Sequence, residues 1–355
     1  MEDKNVFGKK KINSILGMVV ILSMCYQIFS KIDVQPYLDC FSANTGAVVK
    51  DIMMSFRVSF SMLILIFGFL LNEHGKKEEN DWKISVSYIK RFYINYWMVY
   101  VLFSYLVFGS MQSNIYQGKI GYILLDFLGF SSIFGTPTMN ECSWIVGITV
   151  ISLILFPGLK ILAEHVPYVM LFAGILSAVL PGTGDLYRGY GIVTYYISVL
   201  VIGICVSESR ILNWLRIRKA EGKYRLMAVS FPVTGVAFLL WRIYGGRVEM
   251  LYGGCLILFF YLSYKSTSVI CDIFTVLGEK AVSMMLITGY ILESGYREDL
   301  IYRYRNPIVI IAAVIAGVLS LTVILEMLKK KVLAAGKEKS EVERQSGDRD
   351  ERESN

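Results

Sequence analysis

Two histidines and six cysteines are all that this 355-residue chain offers for imidazole or thiol chemistry. Cys25, Cys40, Cys142, Cys205, Cys255 and Cys271 stand apart, with no two-residue spacing and no neighbouring His, so no metal site is expected. His74 lies in the polar stretch Asn72-Glu73-His74-Gly75-Lys76, and His165 follows Glu164 just before Pro167. Both contexts read as solvated turn histidines. A carboxylate is the other side chain that takes a proton from a weak nucleophile near neutral pH. Two stand beside apolar runs: Glu141 in Asn140-Glu141-Cys142-Ser143-Trp144, and Asp185 in Gly182-Thr183-Gly184-Asp185, where a loop salt bridge to Arg188 is the plainer role.

The elements that must position these groups are apolar runs. With 55% hydrophobic residues against 18% charged, the chain departs from the soluble balance, and a ~30 Å hydrocarbon core needs roughly 20 apolar residues per helix. Spans are expected near 12 to 29, 52 to 71, 86 to 108, 143 to 161, 166 to 182, 189 to 207, 226 to 242, 248 to 264, 279 to 295 and 307 to 328. The fold class is therefore all-α, a polytopic bundle of about ten crossings. The first run follows Lys9-Lys10-Lys11 but meets no small-residue cleavage site at Ser30-Lys31-Ile32, so it is expected to be retained.

Lys and Arg set the orientation. With residues 1 to 11 inside, one cytoplasmic loop holds Lys76, Lys77, Lys83, Lys90 and Arg91, and another holds Arg210, Arg216, Arg218, Lys219, Lys223 and Arg225. Lys329, Lys330 and Lys331 begin a charged tail, 329 to 355, expected to be cytoplasmic and disordered. The net charge of +7 thus reports topology, and no nucleic-acid partner is expected. The expected location is the cell membrane, with the bilayer as the surrounding partner and both termini in the cytoplasm.

This topology puts both histidines inside and Glu141, Asp185, Cys40 and Cys142 outside. A Cys40–Cys142 disulfide is conceivable, though free small hydrophobes are the reading we prefer. One further apolar stretch, 120 to 137, must not cross, because a crossing there would move the Arg210 to Arg225 loop outside. Its Asp126, Gly129, Gly135 and Pro137 suit a re-entrant or interfacial segment buried against protein. Arg57, Arg242 and Arg247 fall near outer span ends, and Asp126, Glu249 and Glu293 lie in or beside apolar runs, where they line a polar cavity or snorkel to the interface. Tyr93, Tyr96, Trp97 and Tyr100 read as an aromatic belt.

Short motifs punctuate these spans. Asn13-Ser14-Ile15-Leu16-Gly17 runs on to Cys25-Tyr26-Gln27, and Phe67-Gly68-Phe69-Leu70-Leu71 ends the second span. Tyr88-Ile89-Lys90-Arg91-Phe92-Tyr93-Ile94 opens the third, Trp144 precedes Thr149 and Phe156-Pro157, and Leu277-Gly278-Glu279-Lys280 leads to Ser283 and Thr288. In order and spacing they resemble the acyltransferase 3 family, multi-spanning enzymes that acylate cell-surface sugars. The family's Asp-Gly-Leu-Arg-Gly followed by His has Leu16 at the Arg position and Gln27 at the His. Its Ser-Gly-Phe-Leu has Phe67 for Ser, and its Arg-x-x-Arg keeps Arg91 but has Ile94. Thr149 stands for a Glu, and Thr288 for a late His.

The resemblance implies ten spans and transfer of an acyl group, commonly acetyl from acetyl-CoA or another acyl-CoA, to a hydroxyl of a cell-surface or exported polysaccharide. A carboxamide does not titrate near neutrality, so Gln27 cannot serve as base, and Glu141 is the first substitute. Lys90 and Arg91 are candidates for the donor's phosphates, and Asn140 and Trp144 for the acceptor, with Trp144 or Trp241 stacking on a sugar ring. Two alternatives stay open: a transporter, flippase or polymerase-like protein for lipid-linked glycans, and a non-catalytic relative that partners an active enzyme.

Overall fold

The computed structural model describes residues 9–30, 43–77, 80–110, 115–179, 190–208, 211–264, 268–294, 301–304 and 306–353. Every regular element among them is helical. In chain order these are α1 (Lys9–Ser30), α2 (Ala43–Ser55), α3 (Val58–Gly75), α4 (Asp81–Ser110), α5 (Ile120–Phe127), α6 (Ser131–Phe134), α7 (Trp144–His165), α8 (Pro167–Val179), α9 (Tyr190–Glu208), α10 (Ile211–Tyr244), α11 (Glu249–Ser263), α12 (Val269–Glu279), α13 (Ala281–Glu293) and α14 (Pro307–Glu353). Single 3₁₀ turns occupy Glu141–Ser143, Gly245–Val248 and Tyr302–Tyr304.

Six helical stretches among the described residues are long and apolar enough to cross a bilayer: Lys10–Ser30, Val48–Gly75, Glu141–His165, Gly191–Glu208, Leu226–Tyr244 and Pro307–Lys331. Three further apolar helices, Pro167–Ala178, Glu249–Ser263 and Ala281–Glu293, are shorter. The stretch 120 to 137 forms no long helix. Its eight-residue α5 ends where Gly129 takes φ +78°, and α6 ends where Gly135 takes φ +64°, a left-handed conformation that costs other residues heavily. Two such breaks within seven residues turn the chain back on itself. The tail gives a helix where composition predicts disorder, since α14 continues to Glu353; Ala, Glu, Lys and Arg, all strong helix formers, dominate that half.

Close backbone approaches hold the centre. α1 and α12 cross at Gly17 and Gly278, and a Cβ built on either would overlap the other helix's backbone at Phe274 or Asn13. α3 and α9 meet the same way at Gly68 and Gly203, against the Leu200 and Leu65 carbonyls. Such small-residue seams replace the hydrophobic drive that is absent between helices in lipid. Polar clamps lock one end of the bundle. Asn72 Nδ2 donates to Ser207 Oγ at 3.1 Å and Glu208 Oε1 at 2.6 Å, while Lys76 Nζ reaches Glu73 at 2.9 Å. The buried Lys160 Nζ ties α7 to the Gly75 carbonyl at 3.1 Å and to Asp81 Oδ1 at 2.8 Å. α10 is the outlier, with only 6% of its apolar window buried and Phe231, Leu239 and Ile243 exposed.

Candidate functional site

At the end of the bundle away from these clamps, the last turn of α1, the first turns of α3, α7 and α9 and the broken segment around α6 enclose a cavity of about 670 Å³. That is within the usual range for a small-molecule site. One wall is aromatic: Trp144 stacks on Tyr196 with centroids 4.6 Å apart, Phe60 meets Trp144 edge-on at 5.1 Å, and Tyr26 meets Phe60 at 5.7 Å. The polar lining includes Gln27, Ser30, Arg57, Ser132 and Glu141. Gln27 is buried; its Nε2 donates to Ser23 Oγ at 3.0 Å, and its Oε1 has no hydrogen-bond partner. Glu141 is exposed at the rim.

Arg57 joins this wall to the core. Its Nε donates to Glu249 Oε2 at 3.1 Å, and Ser61 Oγ donates to Glu249 Oε1 at 2.8 Å. Glu249 is wholly buried, and the Arg57 side chain is 27% exposed. A carboxylate so far from water is tolerable only when paired and hydrogen-bonded.

Behind the cavity lies a second buried carboxylate. Asp126, 1% exposed, accepts from Tyr116 Oη at 2.5 Å and the Met139 amide at 3.0 Å on Oδ2, and from Thr138 Oγ1 at 2.5 Å on Oδ1. Burial, reinforced by the adjacent carboxylate, pushes the Tyr116 phenol up, so it remains a donor. The aromatics of α4, expected from sequence to form a belt, pack here against α5, with Tyr96 buried and Trp97 stacked on Phe127. Tyr96, Trp97 and Tyr93 donate to the Asp126, Phe127 and Leu128 carbonyls at 2.5, 3.1 and 3.1 Å, satisfying the open C-terminus of α5.

Of the residues singled out from sequence, Gln27, Glu141 and Trp144 line one cavity. Asn140 is adjacent but faces away: its Nδ2 donates to the Leu286 carbonyl at 2.9 Å and its Oδ1 accepts from the Cys142 amide at 2.9 Å. Gly289 gives it room, because a Cβ there would run into the Asn140 carboxamide. Gly289→Ala is therefore expected to cost ~1–3 kcal/mol by overpacking, read as a lower thermal midpoint of the purified protein. Lys90 and Arg91 are exposed on α4 and line no part of this cavity. Thr288 is buried in α13 and returns its hydroxyl to the Met284 carbonyl at 2.8 Å. His74 and His165, both in last helical turns at the clamped end, donate to or accept from nothing in the cavity. Asp185, Arg188, Cys40 and the Arg247 side chain fall outside the described residues.

Tyr26, Phe60, Tyr196 and Ser132 line the cavity without having been singled out from sequence. Only Ser132 carried a local signal, a Ser pair between the two chain-turning glycines, Gly129 and Gly135. A separate cavity of about 320 Å³ among α1, α3, α9 and α11 is lined by Ile15, Ile66, Ile202, Leu258 and other apolar side chains, so the polar chemistry belongs to the first. Among the described residues no group of three His, Cys, Asp or Glu is placed to hold a metal. No protein-family model, no curated protein and no solved structure matches this chain.

Proposed function

We propose that this protein is a divergent membrane O-acyltransferase of the acyltransferase 3 type, acting on a hydroxyl of a cell-surface or exported glycan. The observation that carries the reading is the convergence of Gln27, Glu141 and Trp144, drawn from separate parts of the chain, on one polar and aromatic cavity. A pyranose ring lays its apolar face on Trp144. Gln27 Oε1, buried and lacking a protein partner, accepts a ligand hydroxyl. Glu141 takes the proton of the hydroxyl that attacks, the part an imidazole plays where the family has its His. A coenzyme A thioester would supply the acyl group. Lys90 and Arg91, exposed and engaged in no ion pair among the described residues, suit its phosphates from the cytoplasmic face.

In this reading α4, which is 30 residues long, and the shorter α8, α11 and α13 join the six long stretches to make ten crossings. Both termini then lie in the cytoplasm, and the cavity opens outside. A second reading, glycan binding without transfer beside an active partner, draws on the side chains at the family's two His positions, Gln27 and Thr288, which do not titrate near neutral pH.

The test is the ester-linked acetate released by mild base from purified surface glycans of cells with the protein, without it, and with Glu141→Ala. Deletion is expected to remove the ester, and Glu141→Ala to slow its formation by about 10²–10⁴-fold. Full ester with Glu141→Ala but none on deletion would favour the partner reading. Loss of the glycan itself would indicate transport, and unchanged ester on deletion overturns the proposal.

A further inference from the structure

The Asp126 carboxylate is joined to the cavity by a chain of hydroxyls. Ser132 Oγ lies 3.2 Å from Ser143 Oγ, Ser143 Oγ lies 3.1 Å from Thr138 Oγ1, and Thr138 Oγ1 lies 2.5 Å from Asp126 Oδ1. Ser132 lines the cavity, Ser143 is fully buried, and Asp126 closes the far end. The direction of this chain follows from counting protons. A carboxylate only accepts, so the single Thr138 hydroxyl proton faces Asp126, at 2.5 Å a tighter contact than its alternative at the Asn140 carbonyl, 3.0 Å away. The Thr138–Ser143 contact then requires Ser143 to donate. With its only proton spent there, Ser143 accepts from Ser132. All three protons point from the cavity toward the carboxylate.

We infer that Ser132 is a nucleophile that receives the acyl group before the glycan does, activated through Ser143 and Thr138 by Asp126. A serine hydroxyl is a weak nucleophile unless a base can draw off its proton, and an oriented base within hydrogen-bond reach is the usual sign of an activated one. Here the reach is extended by two hydroxyls fixed in the fold. The inference rests on the acyl-transfer reading and deepens it.

The steps balance. Ser132 Oγ attacks the acyl carbonyl carbon; the new Oγ–C bond forms as the carbon–sulfur bond of a thioester donor breaks and the sulfur leaves with the electron pair. The Ser132 proton passes to Ser143, that of Ser143 to Thr138, and that of Thr138 to Asp126 Oδ1. In the second half a glycan hydroxyl attacks the acyl-Ser132 ester and loses its proton to Glu141. Ser132 departs as the leaving oxygen and recovers a proton from Asp126 along the same path.

The experiment needs neither donor nor glycan. The full-length protein in detergent is treated with a small fluorophosphonate, which forms an Oγ–P bond and expels fluoride, and the modified residue is located by peptide mass spectrometry. Labelling is expected at Ser132 and absent in Ser132→Ala. It should slow at least about tenfold in Ser143→Ala and Thr138→Val and remain in Thr138→Ser. Thermal unfolding of each variant is followed alongside, and Ser132→Cys is treated with a small maleimide to report access to the cavity. An unlabelled wild type overturns the inference, whether Ser132→Cys reacts, showing an open but inert position, or does not, showing a closed one. Equal labelling of Ser143→Ala and wild type overturns the relay. Because surface ester and Ser132 labelling are separate readouts, failure of this inference is distinguishable from failure of the acyl-transfer reading.

Discussion

Gly278→Leu is expected to prevent recovery of a folded, monodisperse protein. At the α1–α12 crossing a Cβ alone would overlap the Asn13 carbonyl, so a branched side chain must drive two backbones apart rather than displace a flexible neighbour. Inserting methylenes into a packed core costs ~1–3 kcal/mol or more, and separation of this seam places the loss at or above the upper end. Gly17→Leu should behave alike, since its Cβ would meet the Phe274 carbonyl. Gly158 has open space where its Cβ would stand, which makes Gly158→Leu the matched control, expected to unfold within a few degrees of wild type. Size-exclusion profile and thermal midpoint in one detergent decide the comparison.

Glu249→Ala is the second large effect. The carboxylate is fully buried, and its removal leaves the largely buried Arg57 cation without this counterion and Ser61 with only its 3.2 Å contact to the Tyr195 hydroxyl. Breaking one partner of a buried pair costs ~3–5 kcal/mol, whereas replacing both can be nearly neutral. The double variant Arg57→Met with Glu249→Met should therefore regain much of the stability that Glu249→Ala loses, measured by denaturant or thermal unfolding. If the single variant unfolds at the wild-type midpoint, the pair is not a structural tie between α3 and α11. Arg57 also lines the cavity, so the double variant separates stability, which should return, from ligand binding, which should not.

Hydropathy made the long helices legible. The run at 307 to 328 became the first half of α14, and 189 to 207 became α9, because a span-length apolar stretch has few other stable forms. It made α12 invisible. Those 11 residues are too short for a span, and their partner, the Asn13 to Gly17 face of α1, lies far away in sequence. The glycines in 120 to 137 did mark a stretch that forms no long helix, since chain-breaking glycines are a local property. What Asp126 binds was not legible, because Tyr116, Thr138 and the Met139 amide converge on it only once the chain has turned twice. The same holds for the cavity: Glu141 and Trp144 carried local signals, while the aromatic wall of Tyr26, Phe60 and Tyr196 exists only as packing between three helices.

The Gly17–Gly278 crossing also constrains biogenesis. α1 leaves the ribosome well before α12, the helix its backbone meets most closely, and at ~5–20 residues per second the intervening chain takes roughly ten to fifty seconds to emerge. Throughout that interval the bare glycine face of α1 meets lipid or a chaperone of the insertion machinery instead of α12. Nascent chains halted before residue 269 should therefore leave Asn13 and Gly17 open to crosslinking, and release of the full chain should close them.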